Sequence, residues 1–305
     1  MTDILFLLHE SSIADPSQVG ICFQETRDAF CPIGHHQITD QIPKIGEEDL
    51  LSALGKLPVN APGRIDPERA SSFRILLSKQ VRGVYFPRID RPILGESEHL
   101  HGQKIRAVIN ASALQGARKQ FDILKDALED IFRCVHPCVE NYHVYGHAIR
   151  NLLMLAATEV ESAFVAVLRA NNIDPIANHY STKDYVRLLK VMQLGIYEVR
   201  LREYPCLPAL RPFKDWDCNK PTQSLVWYDH YNKVKHNREA NLTHAKLEYA
   251  VNAIAAAHVM NMAQFAERNV YDPYFEVQQI PRWDRGELYI PPAGGEEWKV
   301  GSVNA

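Results

Sequence analysis

From about residue 115 onward the chain repeats apolar side chains at the interval of an α-helix. In "QGARKQFDILKDALEDIFRCV", Phe121, Leu124, Leu128, Ile131 and Val135 recur three or four residues apart, and charged residues fill the other face. That pattern buries one stripe of a helix and leaves the rest to water. Pro137 ends or kinks this helix, because its ring has no N–H to give. "ENYHVYGHAIRNLLMLAATEVESAFVAVLRANN" reads as one long helix. "STKDYVRLLKVMQLG" reads as another, with Ser181 or Thr182 as its capping candidate. The proline-rich loop "YPCLPALRPFKDWDCNKPTQS" follows, and Ser224 is the candidate cap of a helix over "WYDHYNKVKHNR". "THAKLEYAVNAIAAAHVMNMAQFAERN" is a further apolar helix whose alanines suit close packing.

The flanks differ. In residues 1–115, "ILFLLHE" fits a short strand or a helix start, "QVGICFQETRDAF" fits a helix, and "APGRIDPERASS" fits a loop broken by Pro and Gly. "KQVRGVYFPRI" is richer in β-formers and stops at Pro87. After Tyr271, "YFEVQQI", "GELYI" and "EWKVG" alternate like short strands. The expected organisation is a mixed α+β region over 1–115, a helical bundle over 116–270 and a short β-rich tail over 271–305, in a mainly α fold.

The 305 residues suffice for one large or two ordinary domains. A net charge of −3 lacks the basic surplus of a duplex-DNA binder, although a local basic groove remains compatible with it. Six cysteines are scattered without a compact disulfide framework. The apolar "ILFLL" near the start has no basic segment before it, and no apolar run in the sequence reaches the length of a membrane span. These features lead us to expect a cytoplasmic protein with reduced thiols and no membrane partner.

Two stretches concentrate polar chemistry. On the long helix, His147, Arg150, Met154 and Glu161 fall near one face, and Glu159 and Glu161 sit among Leu, Ala, Val and Phe. Carboxylates so placed need partners. Either they form an internal bridge between helices, or Arg150 lines a polar cleft. In "WYDHYNKVKHNREANLTH", Tyr231, Lys235 and Arg238 can share one face, with Asn232 and His236 beside them. Lys and Arg stabilise phosphate charge, and an imidazole passes protons at neutral pH. These are parts for phosphodiester chemistry without a metal. The alternative is that Asn232 and His236 bond neighbouring helices while the cations face water.

The blocks "GHAIRNLLMLAATEVES", "STKDYVRLLK", "RPFKDW" and "WYDHYNKVKHNR" resemble, in order and spacing, the signature blocks of an uncharacterised family of bacterial helical proteins over roughly residues 135–290. More distantly the helical part resembles the HEPN superfamily. That resemblance implies a helical bundle, a homodimer, no cofactor, and either metal-independent RNA cleavage in antiviral defence or toxin–antitoxin growth control, or a non-catalytic binding or scaffolding role with a protein partner. The HEPN motif is Arg, four to six residues, then His, and Arg238 with His244 matches it. With 20 arginines and 13 histidines, chance supplies about two or three such matches. Glu239 also departs from the Asn, Asp or His that active members usually carry next to the arginine. If the resemblance extends to chemistry, His244 or His236 would assist the 2′-OH, Arg238 and Lys235 would hold the transition state, and Arg150, Asn232 and Tyr231 would bind RNA.

A zinc site competes with this reading. "CVHPCVENYHVYGH" sets Cys134, His136, Cys138, His143 and His147 within fourteen residues, with His143 and His147 at i, i+4 on the expected helix. Cys-x-His-x-Cys is not a standard zinc spacing, so packing at a helix end is the other reading. The sequence contains no GxGxxG, GxxxxGK[ST], GxSxG or HExxH.

Overall fold

The computed structural model describes residues 4–9, 19–23, 29–30, 37–38, 73–78, 80–81, 83–93, 111–236, 238–290 and 297–301. The expected loop at 61–72 lies outside the described residues. Chain contacts divide the protein into two units. The first gathers residues 1–85, 91–108 and 283–301, and the second gathers 86–90 and 109–282 with 302–305. Residues 283–301 of the expected tail therefore join the N-terminal unit, while residues 271–282 stay with the helices.

The first unit holds an antiparallel sheet. β1 (Ile4–His9), β2 (Val19–Phe23), β3 (Ala29–Phe30), β4 (Gln37–Ile38) and β5 (Phe73–Ser78) order as β4-β3-β2-β1-β5. β1 lies between β2 and β5, with Phe6 opposite Cys22 on one side and Leu76 on the other. The helix expected over "QVGICFQETRDAF" is thus corrected: its described parts are β2 and β3, held by non-local pairing that overrides a weak local preference. β6 (Val84–Tyr85) pairs in parallel with β9 (Lys299–Val300). "GELYI" forms part of a 3₁₀ turn, Arg285–Glu287, and a bridge from Tyr289 to Ile93. Arg91 lies 4.4 Å over the Trp283 ring and donates to the Glu287 carbonyl at 3.1 Å.

The second unit is mainly helical. α1 (Ala111–Phe132) buries Phe121, Leu124, Leu128, Ile131 and Phe132, as its periodicity requires, and stops ahead of Pro137. Cys138 precedes a 3₁₀ turn at Val139–His143, and α2 (His147–Ala170) starts after it. The single long helix expected from Glu140 is broken at Val144–Gly146. There Tyr145 forms an antiparallel bridge with Lys246, and the Leu247 N–H reaches the Val144 carbonyl at 2.8 Å. Backbone groups engaged across the chain cannot also continue a helix. α2 is long and apolar enough, with a mean hydropathy of 1.5, to cross a membrane by composition. Half of that window is buried within the protein.

α3 (Thr182–Tyr185) and α4 (Leu188–Val191) replace the expected continuous helix. Between them the N–H groups of Arg187 and Leu189 reach three residues back, to Asp184 and Val186, which tightens the coil into 3₁₀ form. Ser181 does cap α3: buried Asp184 accepts its N–H at 2.9 Å. β7 (Glu198–Leu201) pairs antiparallel with β8 (Phe275–Gln279). Then come α5 (Val226–His236), α6 (Arg238–Asn241), a 3₁₀ turn at Leu242–His244 and α7 (Leu247–Phe265).

α7 is buried on nearly every side, and its partners are α2 along its length with α5 and α1 flanking. Alanines at 250, 253, 255, 256 and 257 let those helices approach closely. One polar side chain in this core is conspicuous. His258 stacks between Phe121, at 4.9 Å, and Phe275, at 5.1 Å, and its Nδ1 is buried without a partner among the described residues. Burial pushes its pKa down to about 4, with Asp272 pulling up and Lys125 pulling down.

A group whose folded pKa is depressed as a base makes the unfolded state the better proton binder as pH falls below its ordinary value. His258 therefore contributes stability in full above about pH 6.5, and loses it between about 6.5 and 4. Asp90, pushed up to about 6 by burial against the pull of Arg268, has the opposite slope. The difference between wild type and His258→Phe isolates the histidine. Going from pH 7 to pH 5 should destabilise wild type by about 2 kcal/mol more than the variant in urea unfolding. Parallel pH curves for the two proteins would refute this account.

Candidate functional site

Nothing in "VWYDHYNKVKH" breaks a helix, and Trp227, Tyr228, Tyr231 and Val234 form its buried face. The preceding loop holds α5 in place. Trp227 donates Nε1 to the Pro212 carbonyl at 3.0 Å, and its ring meets Phe213. Phe213 and Trp216 in turn pack on Phe164 of α2. This is the structural use of the "RPFKDW" block. Ser224 does not cap α5, contrary to expectation. Its hydroxyl accepts the Asp217 N–H at 2.9 Å and donates to the Lys220 carbonyl at 2.8 Å, closing the loop.

Glu161 of α2 meets the buried face of α5. Tyr228 and Tyr231 both donate their hydroxyls to its carboxylate, Tyr231 at 3.1 Å. Lys235 places Nζ 3.7 Å from the same carboxylate and 4.9 Å from the centre of the Tyr231 ring. Burial and then the adjacent Glu161 push the Tyr228 pKa far up, so its hydroxyl remains a donor. Burial opposes the charge of Lys235, but the Tyr231 hydroxyl and Glu161 outweigh it and raise its pKa. Of the two readings of the α2 carboxylates, Glu161 follows the internal one, tying α2 to α5. Glu159 is raised by burial and faces Arg88, which lowers it. Tyr231, expected to contact RNA, is only 1% exposed and its hydroxyl is engaged by Glu161, which takes it out of a surface role. Lys235 keeps 42% of its side chain exposed and can reach solvent.

A second cluster lies on the same helix. His230 sets its Nδ1 3.1 Å from Nδ1 of His244, which ends the 3₁₀ turn after α6. The Tyr249 ring stacks on His230 with centroids 4.0 Å apart, and Lys246 lies 5.9 Å over Tyr249. Lys233 pairs with Asp229 at 2.7 Å, and Asn241 donates to the Lys233 carbonyl at 2.9 Å, anchoring the turn to the end of α5. Two imidazole nitrogens this close must share a proton. Two facing lone pairs repel, and two facing N–H groups collide. Burial first, then Lys233 and His244, push His230 down to about 4 against the pull of Asp229. His230 is therefore neutral near pH 7, and the pair can hold or relay one proton.

The other expected residues are more dispersed. His236 is exposed at the C-terminal end of α5, and Asn232 is half-buried. Arg238 opens α6, and its side chain lies outside the described residues. Half-buried Arg150 donates to the Asn151 side chain at 3.1 Å, and its Nε has no partner among the described residues. The zinc alternative is corrected. His143 ends a 3₁₀ turn and His147 starts α2, so the break between them removes the i, i+4 geometry. Cys134, His136, His143 and His147 are exposed, and the described residues contain no group of three metal-binding side chains. Sequence reasoning missed His230 and Tyr228. The spacing of Tyr228 and Tyr231 was an available signal for a shared target, whereas nothing in helical spacing links position 230 to 244.

The Glu161 tie makes a graded prediction. Glu161→Ala leaves two phenol hydroxyls without their acceptor and should cost about 2–4 kcal/mol. Lys235→Ala, at a mostly solvated pair, should cost under about 1 kcal/mol. Urea unfolding checks both; equal losses would refute the assignment of the carboxylate–tyrosine bonds as the main tie. Comparison of the chain with protein-family models, curated proteins and solved structures finds no significant match, which leaves this geometry as the basis for a functional reading.

Proposed function

We propose that the chain is a HEPN-like protein that cleaves RNA without a metal, in phage defence or growth control, working as a homodimer. The observation that carries the reading is the His230–His244 pair at 3.1 Å, on the segment that also brings in Arg238. RNA supplies its own nucleophile. His244 takes the 2′-OH proton, the 2′-oxygen bonds to phosphorus, and the P–O5′ bond breaks. The leaving 5′-oxygen takes a proton from solvent, and His244 later returns its own to solvent. Arg238 would hold the charge developing on phosphate, whereas Lys235, turned to Glu161 on another face of α5, is set aside from that role. His236, exposed one turn beyond Asn232, is the alternative proton acceptor. Asn232 and Arg150 remain the candidate RNA contacts.

A second reading has a specific observation behind it. Tyr228, Tyr231 and Lys235 all converge on Glu161, so part of the "YNKVKH" pattern serves internal bonding. A non-catalytic scaffold that holds a protein partner would need nothing more from it.

An RNase assay in EDTA separates them. Wild type should cleave, and His244→Ala should lose about 100-fold or more while melting normally. Arg238→Ala should also lose activity, and His236→Ala should keep it. Absence of cleavage by wild type over varied single-stranded RNAs, with His244→Ala melting markedly lower, would sink the nuclease reading in favour of the scaffold.

A further inference from the structure

We propose that His230 is a positioning residue for His244: its Nδ1 accepts the Nδ1–H of His244 and so leaves Nε2, on the far edge of that ring, as the proton-accepting nitrogen. The proposal rests on the nuclease reading for its chemical use but concerns an arrangement that stands apart from it. Geometry carries it. The two Nδ1 atoms are 3.1 Å apart, and the rings are tilted by 54° with centroids at 5.0 Å. His230 cannot swing freely, because its ring lies flat on Tyr249. His244 is held by the Leu242–His244 turn, whose approach is fixed by the Asn241 bond to Lys233.

The direction of the shared bond follows from the charged state. Once Nε2 of His244 has taken a proton, both of its nitrogens carry hydrogen, so Nδ1 can only donate. His230 must then accept, and it can do so only as a neutral ring. Its surroundings favour that. Burial opposes a positive charge on it first, and Lys233 on its own helix and Lys246 before α7, itself 3.8 Å from Glu248, add to this, while Asp229 pulls the other way and is largely occupied by Lys233. If His244 already donates from Nδ1 in its neutral form, protonation at Nε2 requires no change of partner. A neutral imidazole thus does here what a carboxylate does for the histidine of a catalytic triad, fixing the tautomer and supporting the imidazolium.

The same two nitrogens could be imagined as ligands of a metal ion. The two lysines make the place unfavourable for a dication, and no third ligand stands beside them among the described residues.

The test uses the full-length chain labelled with ¹⁵N-histidine, with the His244 resonances assigned from His244→Gln. At neutral pH wild type should give His244 as the Nδ1–H tautomer. His230→Phe keeps a ring against Tyr249 but has no nitrogen, and should return His244 to the Nε2–H form or a mixture. His230→Asn, whose amide oxygen can accept the Nδ1–H, should restore the wild-type tautomer. In the cleavage assay His230→Phe should be slower by about 10-fold or more, and His230→Asn should recover most of the loss. An Nε2–H tautomer in wild type, or a tautomer unchanged in a normally melting His230→Phe, would overturn the proposal. If the tautomers behave as stated and wild type cleaves no RNA, the positioning stands and the nuclease reading falls.

Discussion

α7 has no polar face, and the arrangement of the helical unit follows from that. A helix apolar all round must be enclosed, and its alanines set how near the enclosing helices come. α2 takes the longest contact and α1 and α5 close the flanks. Each polar residue on α7 then needs a local solution. Gln264 accepts from Arg88 at 2.8 Å and donates to the Met260 carbonyl at 3.0 Å. His258 instead remains neutral between two phenylalanine rings.

Around this core the protein twice uses the same tie between elements. Glu161 receives the hydroxyls of Tyr228 and Tyr231. Glu129 of α1 receives those of Tyr204 and Tyr274, at 2.9 and 2.7 Å. A carboxylate held by two phenols has its acceptor oxygens satisfied at the edge of a core without requiring a fully buried cation. The phenol rings supply apolar area at the same place, so the bond and the packing reinforce one another. Glu129 links α1 to the β7–β8 region, and Glu161 links α2 to α5. Each tie thereby joins a helix to an element far from it along the chain.

The helical half was legible where the pattern was local. Phe121, Leu124, Leu128 and Ile131 read as a buried face and are one, and the stop at Pro137 follows from proline chemistry. Local pattern failed where a distant segment decides. Residues 19–23 read as part of a helix, and pairing with β1 makes them a strand. Val144 and Tyr145 would extend α2, but Lys246 and Leu247, far along the chain, claim their backbone groups. The candidate site was legible to the same extent. The concentration of aromatic, basic and histidine residues in 227–244 marked the segment that holds the candidate site. The pairing of 230 with 244 depends on how the chain turns after α5, and Tyr231 looked available for RNA because a sequence does not reveal that Glu161 takes its hydroxyl.

The two clusters on α5 divide the helix by function. Trp227, Tyr228, Tyr231 and Val234 belong to the core, and Lys235 leans back onto them through Glu161. His230 is on a different part of the surface, with Tyr249 beneath and the turn carrying His244 beside it. A purely structural histidine at such a place would be expected to bond a backbone carbonyl or a carboxylate, which fixes one tautomer permanently. A second imidazole fixes nothing by itself, since either ring can donate. That symmetry is broken by the burial of His230 and then by the charges around it, which keep it neutral. The proposed positioning role requires that asymmetry, because a bond whose donor can exchange would hold the turn but leave the His244 tautomer undefined.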